Sequence, residues 1–249
     1  MAQIKIIRKN TEYHTKEAYR TIRTNLRLCG SDRKVVAVTS CLPGEGKSRV
    51  SIQLAQALSE DGSRVIIIDA DLRKSGMLNN ISLKAKCQGL SDYLSGQCRA
   101  EEIICTTDME KLDAIISGPF PPNPTELFRT DHFAELIRKL REQYDYVLID
   151  TPPLGSVIDT AVIAEQCDGI IWVISYGLIS RGLALEIKSQ MDLCKCPVLG
   201  AVLNKVELKN SGYYGRYYGK YYGEYYGGVQ SEETGEKRNR RARSRRRKR

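Results

Sequence analysis

The apolar positions of the chain fall into two kinds of segment. Short runs rich in β-branched residues recur at 35–38, 65–68, 112–116, 146–149, 170–174 and 198–203. Apolar runs of that length, broken among these six by a charge only at Asp113, mark strands buried on both faces. After the first run the apolar residues shift to helical spacing, with Val50, Leu54, Ala57 and Leu58 in register. Further helices are predicted at 89–95, near Thr125 as it leaves the proline-rich 118–128, at 131–143, at about 157–166 and at 180–193. Residues 1–10 are predicted as an extended lead-in, followed by a helix over 11–28 with Thr11 or Thr15 as its cap. On that helix Ala18, Tyr19, Ile22 and Leu26 share one face, and Arg20, Arg23 and Arg27 the opposite one. Strand and helix in alternation predict an α/β fold, a mostly parallel sheet of at least six strands with helices on both faces.

Three of the predicted strands end in residues with phosphate or metal chemistry. The first runs into SCLPGEGKS, so strand, glycine loop and helix follow in the order that makes a phosphate-binding P-loop credible. Backbone N–H groups of Pro43 to Arg49 (through Gly44, Glu45, Gly46, Lys47 and Ser48) would wrap a diphosphate at the helix N-terminus, proline excepted as a donor. Lys47 would reach the β- and γ-phosphates, and the Ser48 hydroxyl would ligate Mg²⁺. The full G-x-x-x-x-G-K-[ST] pattern asks for glycine where Cys41 stands, and Gly44 supplies part of the missing looseness. The 65–68 strand ends in Asp69-Ala70-Asp71, and the 146–149 strand in Asp150. Carboxylates at the carboxyl ends of parallel strands lie at the ligand edge of an open α/β sheet. An apolar run closed by Asp150 fits the metal-ordering aspartate of a Walker-B strand, although an aspartate before Pro152 can also cap a turn. Asn204, at the end of the last strand, could read an adenine, while strand-end turns favour Asn in any case.

Composition changes this picture in only one place. The formal charge is +9, but residues 237–249 hold ten Lys or Arg and no acid, and removing those ten leaves −1. The folded body is therefore near neutral and the basicity belongs to a tail. No apolar run approaches the ~20 residues of a membrane helix, and the start of the chain is too short in its apolar part for a secretory signal. The eight cysteines form no C-x-x-C pair and sit beside no histidine cluster. Buried free thiols in a cytosolic protein are expected, with no zinc site.

After Ser211 the unit Tyr-Tyr-Gly-x repeats four times, placing tyrosines at Tyr213, Tyr214, Tyr217, Tyr218, Tyr221, Tyr222, Tyr225 and Tyr226. Glycine at every fourth position opposes helix and strand alike and predicts a mobile segment. Eight tyrosines on such a segment are not core. They suit a sticky low-complexity tail, a stacking platform for single-stranded nucleic acid, or a set of phosphoacceptors for a kinase site on a neighbouring subunit. The expected division is a nucleotide-binding domain over 1–210, a tyrosine cluster over 211–228 and a basic disordered tail over 229–249.

Taken together, EAYRTIR, PGEGKS, IIIDADLR, GPFPPNPTEL, VLIDTPP and the tyrosine cluster resemble the bacterial tyrosine kinases of capsular and exopolysaccharide biosynthesis, over about residues 11 to 226. That family is similar in fold to the ParA/MinD-like P-loop ATPases. The resemblance implies an ATP- and Mg²⁺-dependent protein-tyrosine kinase that phosphorylates its C-terminal cluster in trans and regulates polysaccharide synthesis and export. It implies that Lys47 and Ser48 serve as the Walker-A lysine and Mg²⁺ ligand. It also implies that Asp69 accepts the tyrosine proton, and that Asp71 and Asp150 hold Mg²⁺. Glu17, Arg20 and Arg23 match a ring-assembly motif, so a homo-oligomeric ring is implied while the tail is unphosphorylated. A membrane-anchored activator of the polysaccharide co-polymerase type and a cognate tyrosine phosphatase are the implied partners. With no transmembrane segment in the chain, the activator is expected as a separate protein, placing the kinase in the cytoplasm at the inner face of the membrane. Ser75 departs from the family pattern, where proline is usual, and residues 237–249 extend beyond it. The basic run is a candidate contact for an anionic membrane.

Two rivals remain on the residues alone. One is a ParA/MinD-like ATPase switch, whose usual P-loop carries an extra lysine near its start that SCLPGEG lacks. The other is a non-catalytic adaptor in which nucleotide is structural.

Overall fold

Strand β2 (Val35–Ser40) is buried along its whole length, as six consecutive β-propensity and small residues require of a central strand. It lies between β7 (Tyr146–Asp150) and β8 (Gly169–Ser175), and β3 (Val65–Asp69) pairs with the other side of β7. The described residues are 3–7, 13–83 and 87–206 of this computed structural model. Those up to Asn204 belong to one compact unit. The expected tyrosine cluster and basic run lie outside the described residues.

The sheet has nine strands, adding β1 (Gln3–Ile6), β4 (Ile81–Leu83), β5 (Cys105–Thr107), β6 (Leu112–Ile115) and β9 (Val198–Asn204), in the order β4-β1-β5-β6-β3-β7-β2-β8-β9. From β6 to β9 every pairing is parallel; β5–β6 and β1–β4 are antiparallel. The mostly parallel sheet with flanking helices is as the periodicity predicts. Three short strands exceed that reading. The extended lead-in becomes β1, and β4 and β5 are three-residue segments too brief to show a period.

Alternation along the strands divides the core into two layers. Val36, Val38, Val65, Ile67 and Leu148 point toward α1 (Tyr13–Leu28) and α2 (Lys47–Glu60). Val35, Ile66, Ile68, Val147 and Ile149 point to the other face. That face is covered by α3 (Leu90–Leu94), α4 (Ala100–Ile103), α5 (Pro124–Phe128), α6 (Asp131–Gln143) and α7 (Asp159–Ala164). Each such side chain contributes about 1.5–3 kcal/mol by leaving water. α8 (Arg181–Leu193) packs Ile187 and Met191 on Trp172 of β8.

On α1 the structure corrects the helical wheel. Leu26 is buried and Tyr19 and Ile22 pack on the core, but Ala18 is exposed. Arg23, on the opposite face, is half-buried. It donates to the Ala57 carbonyl at 3.2 Å and pairs with Asp61 at 3.2 Å, while Arg27 also pairs with Asp61 and reaches Ser63 at 3.2 Å. The cause lies in α2, whose last carbonyls end beside α1 and favour cations. Arg20 stays exposed and bonds Glu17 at 2.5 Å. No helix among the described residues is long and apolar enough to cross a membrane.

Candidate active site

β2, β3, β7, β8 and β9 all deliver their carboxyl ends to one edge of the sheet. The loop from Cys41 to Gly46 joins β2 to α2 there, and its shape is fixed from below. Glu45 is fully buried and its carboxylate accepts two backbone N–H groups, Leu42 at 2.8 Å and Ser175, at the end of β8, at 3.0 Å. The Glu45 carbonyl accepts from the Asn204 side-chain amide at 2.8 Å. One acidic residue thus ties the loop to the ends of β8 and β9. Gly46 takes φ 95° and faces Asn204 so closely that a Cβ there would collide with the amide, so glycine is required on both counts.

Cys41 does not need the glycine of the full motif. No non-glycine residue of this loop has a positive φ. The Cys41 side chain packs beneath the loop with Leu154, Trp172, Ile187 and Met191, and burial pushes its thiol up to about 11. It acts as a small hydrophobe. Pro43 and Gly44 form the exposed crest, and Arg49 is exposed one turn into α2, where its charge acts on Tyr19 of α1.

Lys47 and Ser48 open α2 and are both nearly buried. Lys47 Nζ donates to Asp71 Oδ2 at 3.0 Å. Burial pulls the lysine toward neutrality, but Asp150, Asp71 and Asp69 outweigh it and raise its pKa. Asp69 and Asp150 face each other across the β3–β7 pairing, and both are fully buried. Burial pushes Asp69 up to about 7, with the Asp150 and Asp71 charges adding to it and a Ser75 hydrogen bond opposing. Burial likewise lifts Asp150 to about 6, held back by the Lys47 charge and by the Ser48 and Ser51 hydroxyls.

The four assigned catalytic groups therefore meet in one place. Asp69 accepts from the Asp71 N–H at 3.3 Å and from Ser75 Oγ, while Asp71 accepts from the Lys74 N–H at 3.0 Å as well as from Lys47. The two aspartates, one residue apart, thus serve different neighbours. Ser51 donates to Asp150 Oδ1 at 3.3 Å, and Asp150 Oδ2 is buried without a hydrogen-bond partner. An uncompensated buried carboxylate oxygen beside Ser48 is what a divalent cation would satisfy. Among the described residues no group of three or more His, Cys, Asp or Glu forms a metal cage of its own. Mg²⁺ fits such a sparse donor set, since it keeps waters and takes phosphate oxygens. Asn204, expected at an adenine, has its amide committed to the loop.

A clasp next to the site was not singled out from sequence. Arg73 donates to both carboxylate oxygens of Asp159, at 2.7 and 3.2 Å, and Thr125 Oγ1 donates to the same side chain. It joins the loop after β3 to the first residues of α5 and α7. Arg73 sits inside IIIDADLR and could have been questioned; Asp159 stands alone in the sequence and carries no signal. Glu17, Arg20 and Arg23 lie on α1, apart from this cluster, and none is brought to the strand ends.

Three comparisons bear on the whole. An AAA domain family model matches residues 33–184. The tyrosine-protein kinase CpsD of Streptococcus agalactiae serotype III (strain NEM316) is 41% identical over 192 residues, covering 77% of this chain and 83% of the relative. Among solved structures, the kinase domain of Escherichia coli tyrosine kinase ETK superposes with a TM-score of 0.74 at 26% identity, covering 84% of this chain and 91% of that one. The septum site-determining protein MinD from Pyrococcus horikoshii, solved with Mg-ADP, gives a TM-score of 0.57 at 23% identity, covering 68% of this chain and 69% of that one, a likeness of fold. A P-loop nucleotide fold, the convergent lysine and aspartates, and this degree of identity agree: the chain belongs to the bacterial tyrosine-protein kinase family of capsule and exopolysaccharide systems that its motifs resemble.

Proposed function

We propose that the chain is an ATP- and Mg²⁺-dependent tyrosine kinase that phosphorylates the cluster Tyr213 to Tyr226 of a neighbouring copy and thereby regulates polysaccharide synthesis and export. The observation that carries this reading is the meeting of Lys47, Asp69, Asp71 and Asp150 at the P-loop edge of the sheet. Bound Mg-ATP would supply the phosphoryl group and the cation that offsets its charge. The chain's own share is positioning and electrostatics, which dominate phosphoryl transfer. Lys47 and the loop amides from Gly44 to Ser48 hold phosphate oxygens; Ser48, Asp71 and Asp150 hold the metal. Asp69 accepts the acceptor hydroxyl's hydrogen bond and then its proton, since a free tyrosine with a pKa near ~10 needs a base within reach.

Glu17, Arg20 and Arg23 contact the next subunit of a ring, and a membrane-anchored activator brings the kinase to the inner face of the membrane. The basic run 237–249 adds a contact with anionic lipid. Each phosphotyrosine carries roughly −1.5 to −2, so several of them offset the ten cations beside them and weaken that contact. A tyrosine phosphatase resets the cycle.

The test is incubation of the pure protein with radiolabelled ATP, Mg²⁺ and the activator's cytoplasmic segment. Label on tyrosines within 213–226 is expected. Phosphate release without label would instead indicate a MinD-like switch, and neither product an adaptor.

A further inference from the structure

Asp69 is fully buried and both of its carboxylate oxygens are occupied. Oδ1 accepts the backbone N–H of Asp71 at 3.3 Å, and Oδ2 accepts the hydroxyl of Ser75. The first donor belongs to the main chain at the end of β3 and moves only if the strand end moves. The second is a half-buried side chain that one rotation about χ1 would swing away. Each oxygen has a second lone pair, but an acceptor hydroxyl that approaches Oδ2 along the direction Ser75 occupies takes the place of the Ser75 hydroxyl.

The loop that carries Ser75 is held at several points. Lys74 N–H bonds Asp71 at 3.0 Å, and Leu78 N–H bonds the Ser75 hydroxyl at 3.3 Å. Arg73 is clasped to Asp159. Gly76 sits so close to the Ser48 hydroxyl that a Cβ would collide with it, so residue 75 stands one position from the P-loop serine. The Ser75 hydroxyl is thus placed beside the phosphate end of α2, where the tyrosine oxygen has to arrive.

We propose that the Ser75 hydroxyl is a resident stand-in for the acceptor hydroxyl on Asp69, a positioning residue that sets how tightly acceptor tyrosine binds. This rests on Asp69 being the group that accepts the tyrosine proton. With Ser75 in place Asp69 keeps a hydrogen-bond partner when no tyrosine is bound, and each incoming tyrosine gives up the worth of that bond on entry. The hydroxyl shifts acceptor affinity and leaves nucleotide affinity alone.

Initial rates on a synthetic peptide of residues 212–227, with the full-length chain, test this. Ser75→Ala is expected to lower the peptide KM by at least about tenfold, the low end of the value of one hydrogen bond to a charged group. The KM for ATP should stay within about twofold, a few tenths of a kcal/mol. Ser75→Thr, which restores the hydroxyl, should return the peptide KM to that of the parent. An unchanged peptide KM in Ser75→Ala, a parallel change in both KM values, or complete loss of phosphotyrosine would each overturn the proposal. Asp69→Asn is run alongside. An inactive Asp69→Asn beside an unchanged Ser75→Ala removes the Ser75 role alone, whereas full activity in Asp69→Asn removes the base and the stand-in together.

Discussion

Lys47 Nζ donates to Asp71 Oδ2 at 3.0 Å, so the lysine assigned to phosphate and a carboxylate assigned to metal hold each other. Binding a phosphate and a cation at this site exchanges one buried ion pair for two. Lys47→Ala deletes the phosphate contact and leaves the buried carboxylates of Asp69, Asp71 and Asp150 without the ammonium whose charge they share. We expect phosphotyrosine to fall by at least about 100-fold, the scale of losing one preorganised charge contact. Anti-phosphotyrosine detection reads the loss, and an unchanged far-UV circular dichroism spectrum shows that the fold persists. Wild-type phosphotyrosine in this variant would sink the proposed function.

Asp69 and Asp150 make a pH prediction whose sign follows from linkage. Their folded pKa values, about 7 and about 6, lie above the ~3.9 of an unfolded aspartate. Between pH ~4 and ~7 the folded state therefore binds more protons than the unfolded one, and stability falls as pH rises through that window. Thermal melts in chelator should give a higher Tm at pH 5.5 than at pH 7.5, and Asp69→Asn should flatten the slope while raising Tm at pH 7.5. A slope identical in that variant would remove Asp69 as its source.

Glu45→Gln tests the staple beneath the phosphate loop. A glutamine has one acceptor oxygen for the two N–H groups of Leu42 and Ser175, and its own NH₂ would face a donor. Leaving a buried donor unpaired costs about 1–3 kcal/mol. Nucleotide affinity should weaken by roughly tenfold, the equivalent of 1.4 kcal/mol, as measured by calorimetric titration. Unchanged affinity would mean that the loop holds its shape without the carboxylate.

The clasp can be separated from simple charge pairing. Arg73→Ala leaves Asp159, which is nearly fully buried, with the Thr125 hydroxyl as its one side-chain partner among the described residues, and a loss of about 1–3 kcal/mol in urea unfolding is expected. Arg73→Lys should recover little, because a lysine cannot match both carboxylate oxygens as the guanidinium does. Full rescue by lysine would reduce the clasp to a point charge.

The arginines of α1 should divide by their partners. Among the described residues the Arg20 side chain bonds only Glu17, on the same helix, whereas Arg23 is tied to the end of α2. Arg20→Glu is expected to weaken self-association in sedimentation velocity without moving Tm. Arg23→Ala should lower both. A Tm loss in Arg20→Glu would show that Arg20 also supports the monomer.

How far the sequence carried these points can be read from particular residues. The central strands were legible because Val35 to Val38 and Val65 to Ile68 are buried on both faces, and such burial writes itself as an unbroken apolar run. Lys47, Asp69, Asp71 and Asp150 were legible because strand ends in a parallel sheet gather on one edge. The partners of those residues were not. Glu45 looks like a solvent-facing loop acid until β8 and β9 are in place. Asp159 reaches Arg73 across 86 positions, and no local period records that. The tie of Arg23 to the end of α2 was not legible either, because a helical wheel measures angle and knows nothing of the neighbouring helix end.

That helix end has a mechanical meaning. α2 has 14 residues and so runs about 21 Å from end to end. One end carries Lys47 and Ser48; at the other, Arg23 and Arg27 grip the Ala57 carbonyl and Asp61. One rigid helix of about four turns therefore spans the distance between the α1 arginines and the lysine of the loop, so the two ends share a single structural support.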